Sequence, residues 1–492
     1  MIYGGTNYMR RKFLWAMLMI TVICVVIGCG KKKEGVKEVT EEKNPDAILY
    51  EKLFDINNVV KVDIDISDEE LLKIQKDYEK YGGSKSPIYR RADKVTITIN
   101  DEDYVIEDVG VRMKGNTSRE SFFNSSNIMY NLINFRLSFD ETFDNPEYYG
   151  TEARVWEDEN AKKEREKRKF ATLSGLELKW NKNLDTTYVR EIYANDMFRD
   201  FGLMSQHEGL AATRIGKTNV GVYMIYEPVD KQFLKKYFNK DEIGDLYKAS
   251  WTNRPAGYTK DASYGTDTNS GSRYNYTLKT NKKTSKHELY SKFIEQINDN
   301  NMTKEAFSSV VDTDYFVKFS AVSYFVGNPD DMRNNFNNHY LYLTKENKAY
   351  FIPYDNDRVF GITVDWNPDG TGMTAVSPFS DVAAGFKSWQ FNPLIRNTII
   401  NKDGLLYEEY VKALDEVAKS KWLTNEHFET YFETAKKNYE SFVAPDKDFD
   451  NASKGAFKFT LDGVYNGGND INMSMSEYLE RKLKTYREAL NN

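Results

Sequence analysis

The chain has 492 residues, of which 40% are hydrophobic and 14% aromatic, and this apolar content excludes a wholly disordered protein. A formal net charge of −7 gives no electrostatic case for nucleic-acid binding. Both cysteines precede residue 30 and the four histidines lack metal-ligand spacing, which excludes a disulfide framework, a thiolate zinc site and a histidine-rich metal site from the body of the chain.

The N-terminus has the features of a lipoprotein signal peptide, predicted at 1–29. A basic segment precedes the apolar stretch 13–27, which is short for a membrane span of about 20 residues but fits a signal sequence. The stretch ends in VIGC, which resembles a bacterial lipobox, and this resemblance implies lipidation of Cys29. The alternative is an uncleaved anchor with a chance cysteine. Residues 30–46 are charged and aperiodic, and predict a flexible linker.

The first part of the body is rich in predicted strands. Alternating apolar and polar residues predict a strand at 59–67, and a capping box at Ser67–Glu70 opens a helix. Residues 95–99 and 104–115 predict a β-hairpin. Further strands are predicted at 134–139 and 176–180.

A charged segment without strand-like alternation separates these strands from the next helix. Within an insertion at 141–170, a block of charged residues predicts an exposed helix or a mobile segment. Apolar residues on one face predict a helix at 185–201, which Gly202 ends as a left-handed cap. A hairpin is predicted at 210–227, followed by a helix at 230–238.

The second half is predicted to be mainly helical. Residues 252–285 are rich in Thr, Ser, Asn, Gly and Tyr and predict a long loop. Helical patterns occupy 287–300, 313–327 and the region after 403, with a β-hairpin of 339–343 and 349–352 between them. Strands followed by helices predict an α+β protein with a sheet-rich N-terminal part and a helical C-terminal part.

Acid and amide side chains stand at both ends of that hairpin. Asp330 and Asn338 precede it, and Asp355 follows it. Because the hairpin returns the chain, Asn338 and Asp355 can meet and hold Mg²⁺, which prefers oxygen ligands and takes few from protein. Asp330 can then accept the proton of a substrate hydroxyl. Asn335, five residues after Asp330, is an alternative metal ligand, and neither an HRD nor a literal DFG motif is present.

Several segments occur in an order typical of one protein family. GN-x-D is followed by NN-x-YLY, FIPYD-x-D and FG within 327–361. The other segments are GVRMKGNTS at 110–118, DTTYVREIYANDMFRDFG at 185–202, VGVYMIYEPVDKQFL at 220–234 and MSEYLERKLKTYREAL at 475–490. Together they resemble the kinase-like family of spore coat protein H (CotH).

This resemblance implies an atypical, two-lobed protein-kinase-like fold that transfers phosphate from ATP to Ser or Thr with Mg²⁺ or Mn²⁺. The lobes would span 47–240 and 241–492. Asp330 would be the catalytic acid, with Asn338 and Asp355 as metal ligands. Asp357, the second acid of D-x-D, supplements or replaces Asp355.

The resemblance also implies a set of nucleotide contacts. Lys114 would reach the phosphates as a second catalytic residue, Arg190 and Glu191 would form an orienting pair, and Tyr354 would stack on the base where relatives often have Trp. Lys179, at the end of a strand, is the alternative phosphate lysine. The predicted nucleotide contacts are Lys114, Gly115, Asn116, Arg190, Tyr226, Glu227 and Tyr354.

These features predict a lipid-anchored kinase on the extracytoplasmic face of the cell membrane. Its substrate would be an envelope or spore-associated protein with an acceptor Ser or Thr, and no nucleic acid is expected as a partner. One alternative is a non-catalytic assembly protein of the envelope or spore surface, built on a kinase-like scaffold. Another is a metal-dependent phosphohydrolase. ATP is scarce outside the cell, so the anchor and the chemistry are in tension.

Overall fold

A computed structural model describes residues 44–491 except 116–117, 240–241, 253–254, 268–273, 365, 381–391, 453–456 and 468–469. Two predicted site residues, Cys29 and Asn116, lie outside the described residues, as do the signal peptide and most of the linker. Among the described residues no helix is both long and apolar enough to cross a bilayer.

Helices and strands are numbered here in chain order. The helices are α1 (Pro45–Phe54), α2 (Asp68–Lys80), α3 (Pro146–Tyr149), α4 (Glu159–Glu166), α5 (Arg190–Asp200), α6 (Lys231–Leu234), α7 (Glu288–Ile297), α8 (Lys304–Val310), α9 (Thr313–Val326), α10 (Pro393–Arg396), α11 (Tyr407–Ala418), α12 (Asn425–Tyr439) and α13 (Met475–Leu490). The strands are β1 (Val60–Asp65), β2 (Arg90–Ile99), β3 (Glu102–Lys114), β4 (Asn134–Ser138), β5 (Gly175–Trp180), β6 (Glu208–Ile215), β7 (Thr218–Tyr226), β8 (Asp245–Ala249), β9 (Tyr264–Thr266), β10 (Tyr276–Leu278), β11 (His339–Leu343), β12 (Ala349–Pro353), β13 (Val464–Gly467) and β14 (Asp470–Asn472).

The first seven strands close into a barrel in the order β1-β2-β3-β4-β5-β7-β6. Neighbouring strands are antiparallel except β1 and β6, whose parallel pairing closes the ring. Alternate residues such as Val62, Ile97 and Val111 are completely buried and form one core, as the period-2 pattern requires. The barrel confirms the sheet-rich N-terminal part, and the whole is an α+β protein.

A second sheet of five strands, in the order β12-β11-β8-β10-β9, lies in the C-terminal part. It confirms the hairpin, in which His339 pairs with Pro353 and Leu343 with Ala349. The long loop predicted at 252–285 is wrong in part, because it contains β9 and β10. The C-terminal part is therefore less purely helical than predicted.

The insertion at 141–170 is anchored to the barrel. Arg154 binds both carboxylate oxygens of Asp108, at 2.6 and 3.0 Å. Arg165 of α4 is buried and donates to the backbone oxygens of Asp108 and Glu141. The charge block thus forms the predicted helix, but part of its charge holds the insertion in place.

The buried helix α9 delivers the chain to the acid-rich loop. Eleven of its residues are buried, and the Asp312 side chain caps its start by accepting from Tyr315 N–H at 3.1 Å. It ends at Gly327, whose φ of 66° lies in the left-handed region. A Cβ there would come within 2.1 Å of the Tyr478 hydroxyl oxygen, so only glycine fits. This packing fixes where residue 328 and the following acids begin.

Candidate active site

A lysine on β5 lies among three carboxylates. Lys179 Nζ is 3.3 Å from Glu191 Oε2 on α5. It is also 2.8 Å from Asp355 Oδ1 and 2.8 Å from Asp357 Oδ2, both beyond β12. Lys179 and Glu191 are each 7% exposed, whereas the side chains of Asp355 and Asp357 are 40% and 22% exposed. The two aspartates therefore face solvent, and the lysine and glutamate lie behind them.

Electrostatics keeps this lysine and the first aspartate charged. Burial alone would lower the pKa of Lys179, but the surrounding carboxylates raise it well above its usual value. Burial would raise the pKa of Asp355, yet the contact with Lys179 holds that pKa well below its usual value. Glu191 differs, because burial and the nearby aspartates raise its pKa to about 7 despite Lys179.

The start of α5 positions Glu191. The helix begins at Arg190 rather than at 185, because the Asp185 side chain accepts from Thr187 N–H at 3.0 Å and from Arg190 N–H at 2.9 Å. The Tyr226 hydroxyl at the end of β7 donates to Glu191 Oε2 at 3.2 Å. Glu191 is thus fixed from both the barrel and the helix.

Asp330 lies in a loop of amide side chains. It accepts from Asn335 Nδ2 at 2.6 Å, from Asn337 Nδ2 at 3.3 Å and from Asn338 Nδ2 at 2.9 Å. Burial, assisted by the nearby Asp355, raises the pKa of Asp330 to about 6 although the amides oppose this. A carboxylate with a pKa in that range can act as a general base near neutral pH. Both predicted metal amides, Asn335 and Asn338, therefore lie beside Asp330.

Hydrogen bonds tie the Asp330 loop to the Asp355 segment. Asn328 accepts from Asp330 N–H at 2.9 Å and donates to Asp355 O at 3.3 Å and to Asn356 Oδ1 at 3.2 Å. At the mouth of the hairpin, Tyr354 N–H donates to Asn338 O at 3.1 Å. The hairpin thus brings its two ends together, as its geometry predicts.

The two ends of the hairpin also carry backbone strain. Asn338 has a φ of 42° and Asp355 a φ of 55°, both in the left-handed region. Such conformations cost about 1–3 kcal/mol each and persist where the surrounding structure holds them, often at functional sites. Asn and Asp adopt left-handed backbone conformations more readily than most other residues, which is consistent with their occurrence at these two positions.

The oxygen donors at this point fit Mg²⁺ or Mn²⁺. Asp355 Oδ1 and Asp357 Oδ2 already converge on one cationic atom, Lys179 Nζ, and Asn338 lies across the hairpin mouth from Tyr354. Magnesium takes one or two carboxylates and fills its other positions with water and phosphate. Within the described residues, no three His, Cys, Asp or Glu side chains are grouped as a metal cage. The ligand set of Asp355, Asp357 and Asn338 therefore stays a prediction.

Lys114 occupies a different position from Lys179. Its Nζ lies 2.5 Å from Glu177 Oε2 and is 5.2 Å and 5.6 Å from the ring centroids of Tyr226 and Tyr354. Gly115 follows it with a φ of 121°, where a Cβ would meet the Ser118 hydroxyl oxygen at 2.2 Å. Lys114 thus neighbours the site through the tyrosines, while Lys179 contacts the acids directly.

Two predicted nucleotide contacts do not reach this site. The Arg190 side chain is completely buried and donates to Phe360 O at 3.0 Å, with Asp185 3.5 Å away. The Glu227 side chain is 1% exposed and pairs with Lys236 at 2.8 Å. Because both side chains are engaged by other groups of the protein, we assign structural roles to Arg190 and Glu227.

A family model described as CotH kinase protein matches residues 111–479, which is most of the chain. The chain belongs to the CotH kinase family. The matched region contains four residues of the site, namely Lys179, Glu191, Asp330 and Asp355. No curated protein matches the chain.

Several residues of this CotH site were missed from the sequence. Glu177 precedes Lys179 by two positions, and the period-2 rule for strands was the signal that it faces the same side. Asn328 and Asn356 were not predicted as site residues, and the structure shows them joining the two acidic segments. Lys248 of β8 lies 3.8 Å from the Tyr354 ring centroid, but β8 was not predicted.

Proposed function

We propose that this CotH family member is an ATP-dependent protein kinase that transfers the γ-phosphate to Ser or Thr of an envelope or spore-associated protein. The observation that carries this proposal is the contact of Lys179 with Glu191, Asp355 and Asp357. In protein kinases, a strand lysine paired with a helix glutamate and an aspartate that binds Mg²⁺ are both needed for transfer.

Each residue has a role in this chemistry. Lys179 orients the phosphates and Glu191 positions Lys179 from behind. Asp330, whose pKa is raised to about 6, takes the proton of the acceptor hydroxyl as that oxygen attacks the γ-phosphorus, and the bond from this phosphorus to the bridging oxygen breaks to release ADP. Bound Mg²⁺ or Mn²⁺ would supply neutralisation of the phosphate charge. Tyr226 provides aromatic surface beside Lys179, and Tyr354 provides it beside Lys114.

The fold supports a two-lobed arrangement for this proposal. The upper lobe, 47–240, would comprise the barrel with α5, and the lower lobe, 241–492, the second sheet with α9 and the acid loop. The contact of Lys179 on β5 with Asp355 after β12 joins the two parts. A signal peptide at 1–29 and a lipid on Cys29 would hold the kinase at the extracytoplasmic face of the membrane.

The proposal is tested with labelled ATP, Mg²⁺ or Mn²⁺, and an envelope extract of the producing cell. We expect Mg-dependent labelling of protein, which Asp330→Asn and Asp355→Asn abolish. Asp415→Asn, a change of a 49% exposed residue on α11, is the matched control and retains labelling. Equal labelling by all variants would refute the assignment, phosphate release without labelling would indicate a phosphohydrolase, and the absence of any thermal shift with ATP would indicate a scaffold.

A further inference from the structure

A group of six cations includes the two lysines beside Tyr354, Lys114 and Lys248, whose Nζ atoms lie 5.6 and 3.8 Å from its ring centroid. The six cations lie on the outer face of the barrel, on the second sheet and in the segments beside them, in a chain whose net charge is negative. They are Lys85, Arg112, Lys114, Arg136, Lys248 and Lys279, and this set is called the cation cluster below.

Only half of the cation cluster is paired with acids. Glu177 pairs with Lys114 at 2.5 Å and with Arg136 at 3.1 Å, and Asp267 pairs with Lys279 at 3.2 Å. Among the residues that the structure describes, no carboxylate pairs with the other three cations, Lys85, Arg112 and Lys248.

The unpaired cations are not simply solvated surface charges. The Arg112 side chain is 7% exposed and its Nε has no hydrogen-bond partner within the described part of the chain. Arg112 also stands directly opposite Arg136 in the pairing of β3 with β4. Like charges at facing positions destabilise a sheet. Arg112 donates to Ser86 O at 3.2 Å and lies 4.9 Å from the Tyr89 ring centroid, but of the two arginines only Arg136 has a carboxylate partner among the described residues. A bound anion would therefore stabilise the facing pair.

Lys248 brings the cation cluster up to the nucleotide side of the site. Its Nζ lies 3.8 Å from the ring centroid of Tyr354 and 5.8 Å from that of Tyr340, its partner in the pairing of β8 with β11. Tyr354 directly precedes Asp355, so Lys248 contacts the residue next to the proposed metal ligand in the chain. Burial, with repulsion from Lys279 and Lys114, lowers the pKa of Lys248 to about 7.

Lys85 is an exposed member of the cation cluster. The side chain is exposed, yet the surrounding protein and the cations Arg112, Lys279 and Arg136 lower its pKa to about 7. In both lysines burial is the largest cause of the lowered pKa, and repulsion from neighbouring cations adds to it. An oxyanion placed there would relieve that repulsion and restore the charge on both lysines.

We infer that the cation cluster is an oxyanion-binding subsite for phosphate groups, with Lys248 as its central contact. The phosphates could come from the nucleotide's own phosphate chain or from a phosphorylated side chain of the acceptor protein. Identifying the source rests on the proposed function, but the subsite itself does not.

Calorimetric titration of the full chain with inorganic tripolyphosphate, without metal, tests the subsite. We expect binding that weakens at least about tenfold in Lys248→Met, the loss typical of a charged hydrogen bond. Lys248→Arg restores it, and added salt weakens it. The matched control is Lys217→Met, a lysine 87% exposed at the β6–β7 turn. Should Lys248→Met fail to fold, Lys85→Met/Lys279→Met carries the same expectation.

Further titrations identify the source of the phosphates. If the nucleotide supplies them, ATP affinity falls in Lys248→Met while adenosine affinity is unchanged. If the acceptor supplies them, ATP affinity is unchanged and affinity for a phosphoserine peptide falls. Either pattern supports the subsite, whereas tripolyphosphate that fails to bind, or that binds Lys248→Met as well as wild type, overturns it. Wild-type protein that binds tripolyphosphate but labels no protein would refute the kinase proposal alone.

Discussion

Removing the charge of Lys179 should show how much of the free energy of unfolding depends on its contacts with the surrounding carboxylates. In Lys179→Met the Glu191 carboxylate keeps its burial but loses its cation, since both side chains are only 7% exposed. Breaking a buried pair by removing one partner costs about 3–5 kcal/mol of unfolding free energy. Asp355 and Asp357 are more exposed, so water screens them and we assign the cost chiefly to Glu191.

The pKa of Glu191 determines whether the loss of stability in Lys179→Met grows or shrinks as the pH rises. The pKa of Glu191 is raised to about 7, so its contribution to stability is full below the unfolded value near 4.5 and is lost as pH rises through 7. Without Lys179 the carboxyl holds its proton still more firmly. Lys179→Met should therefore lose more stability at pH 8 than at pH 5.5, and protonation of Glu191 limits the difference to about 1.4 kcal/mol for the one pH unit above 7.

Urea unfolding followed by circular dichroism at the two pH values measures this difference. The double variant Lys179→Met/Glu191→Gln, which leaves no stranded charge on α5, should recover most of the loss at pH 8. Lys217→Met serves as the exposed control and should change stability by less than about 0.5 kcal/mol. A loss that is equal at both pH values, or a double variant no more stable than the single one, would refute the electrostatic reasoning.

Four further predictions follow from individual contacts. Tyr439→Phe should cost about 1–3 kcal/mol in urea unfolding, because the hydroxyl accepts from the buried Val60 N–H at 3.0 Å. Burial raises the pKa of Glu208 well above its usual value, so Glu208→Gln should be near neutral in the same assay, whereas Glu208→Ala leaves Asn195 Nδ2 unpaired and should destabilise. Protein labelling should fall as pH drops through about 6, where Asp330 becomes protonated, and a flat profile would contradict its role as base. Cys29→Ser should move the protein from the membrane fraction to the soluble fraction, and an unchanged distribution would exclude the lipid anchor.

The parts of the site that the sequence predicts well are those fixed by local geometry. A hairpin necessarily returns the chain, so the contact of Asn338 with Tyr354, the residue before Asp355, follows from alternation and turn length alone. The loop amides beside Asp330 lie within eight residues of it in sequence. These contacts need no knowledge of the tertiary fold.

Other parts depend on tertiary contacts that sequence patterns do not encode. Lys114 ends β3 and Lys179 lies one residue before the end of β5, and only the contact of Lys179 with Glu191 on α5 shows which lysine meets the acids. Arg190 and Glu191 are adjacent, but neighbouring helical residues point about 100° apart, so one faces the site and the other the interior.

The number of strands in the second sheet was underestimated because the strands that were not predicted are short. β9 and β10 have three residues each, which is too few for alternation to stand out in a segment rich in Thr, Ser and Tyr. Missing β8 concealed Lys248, and with it the cation cluster. The long-range pairing of β8 with β11 places this lysine against Tyr354.

The most direct test of the central claim is transfer of labelled phosphate from ATP to protein by wild type, Lys179→Met and Lys114→Met in parallel. The contacts of Lys179 with three carboxylates predict that Lys179→Met abolishes labelling, while Lys114→Met, whose lysine pairs with Glu177, retains part of it. Full labelling by Lys179→Met, with none by Lys114→Met, would contradict the account.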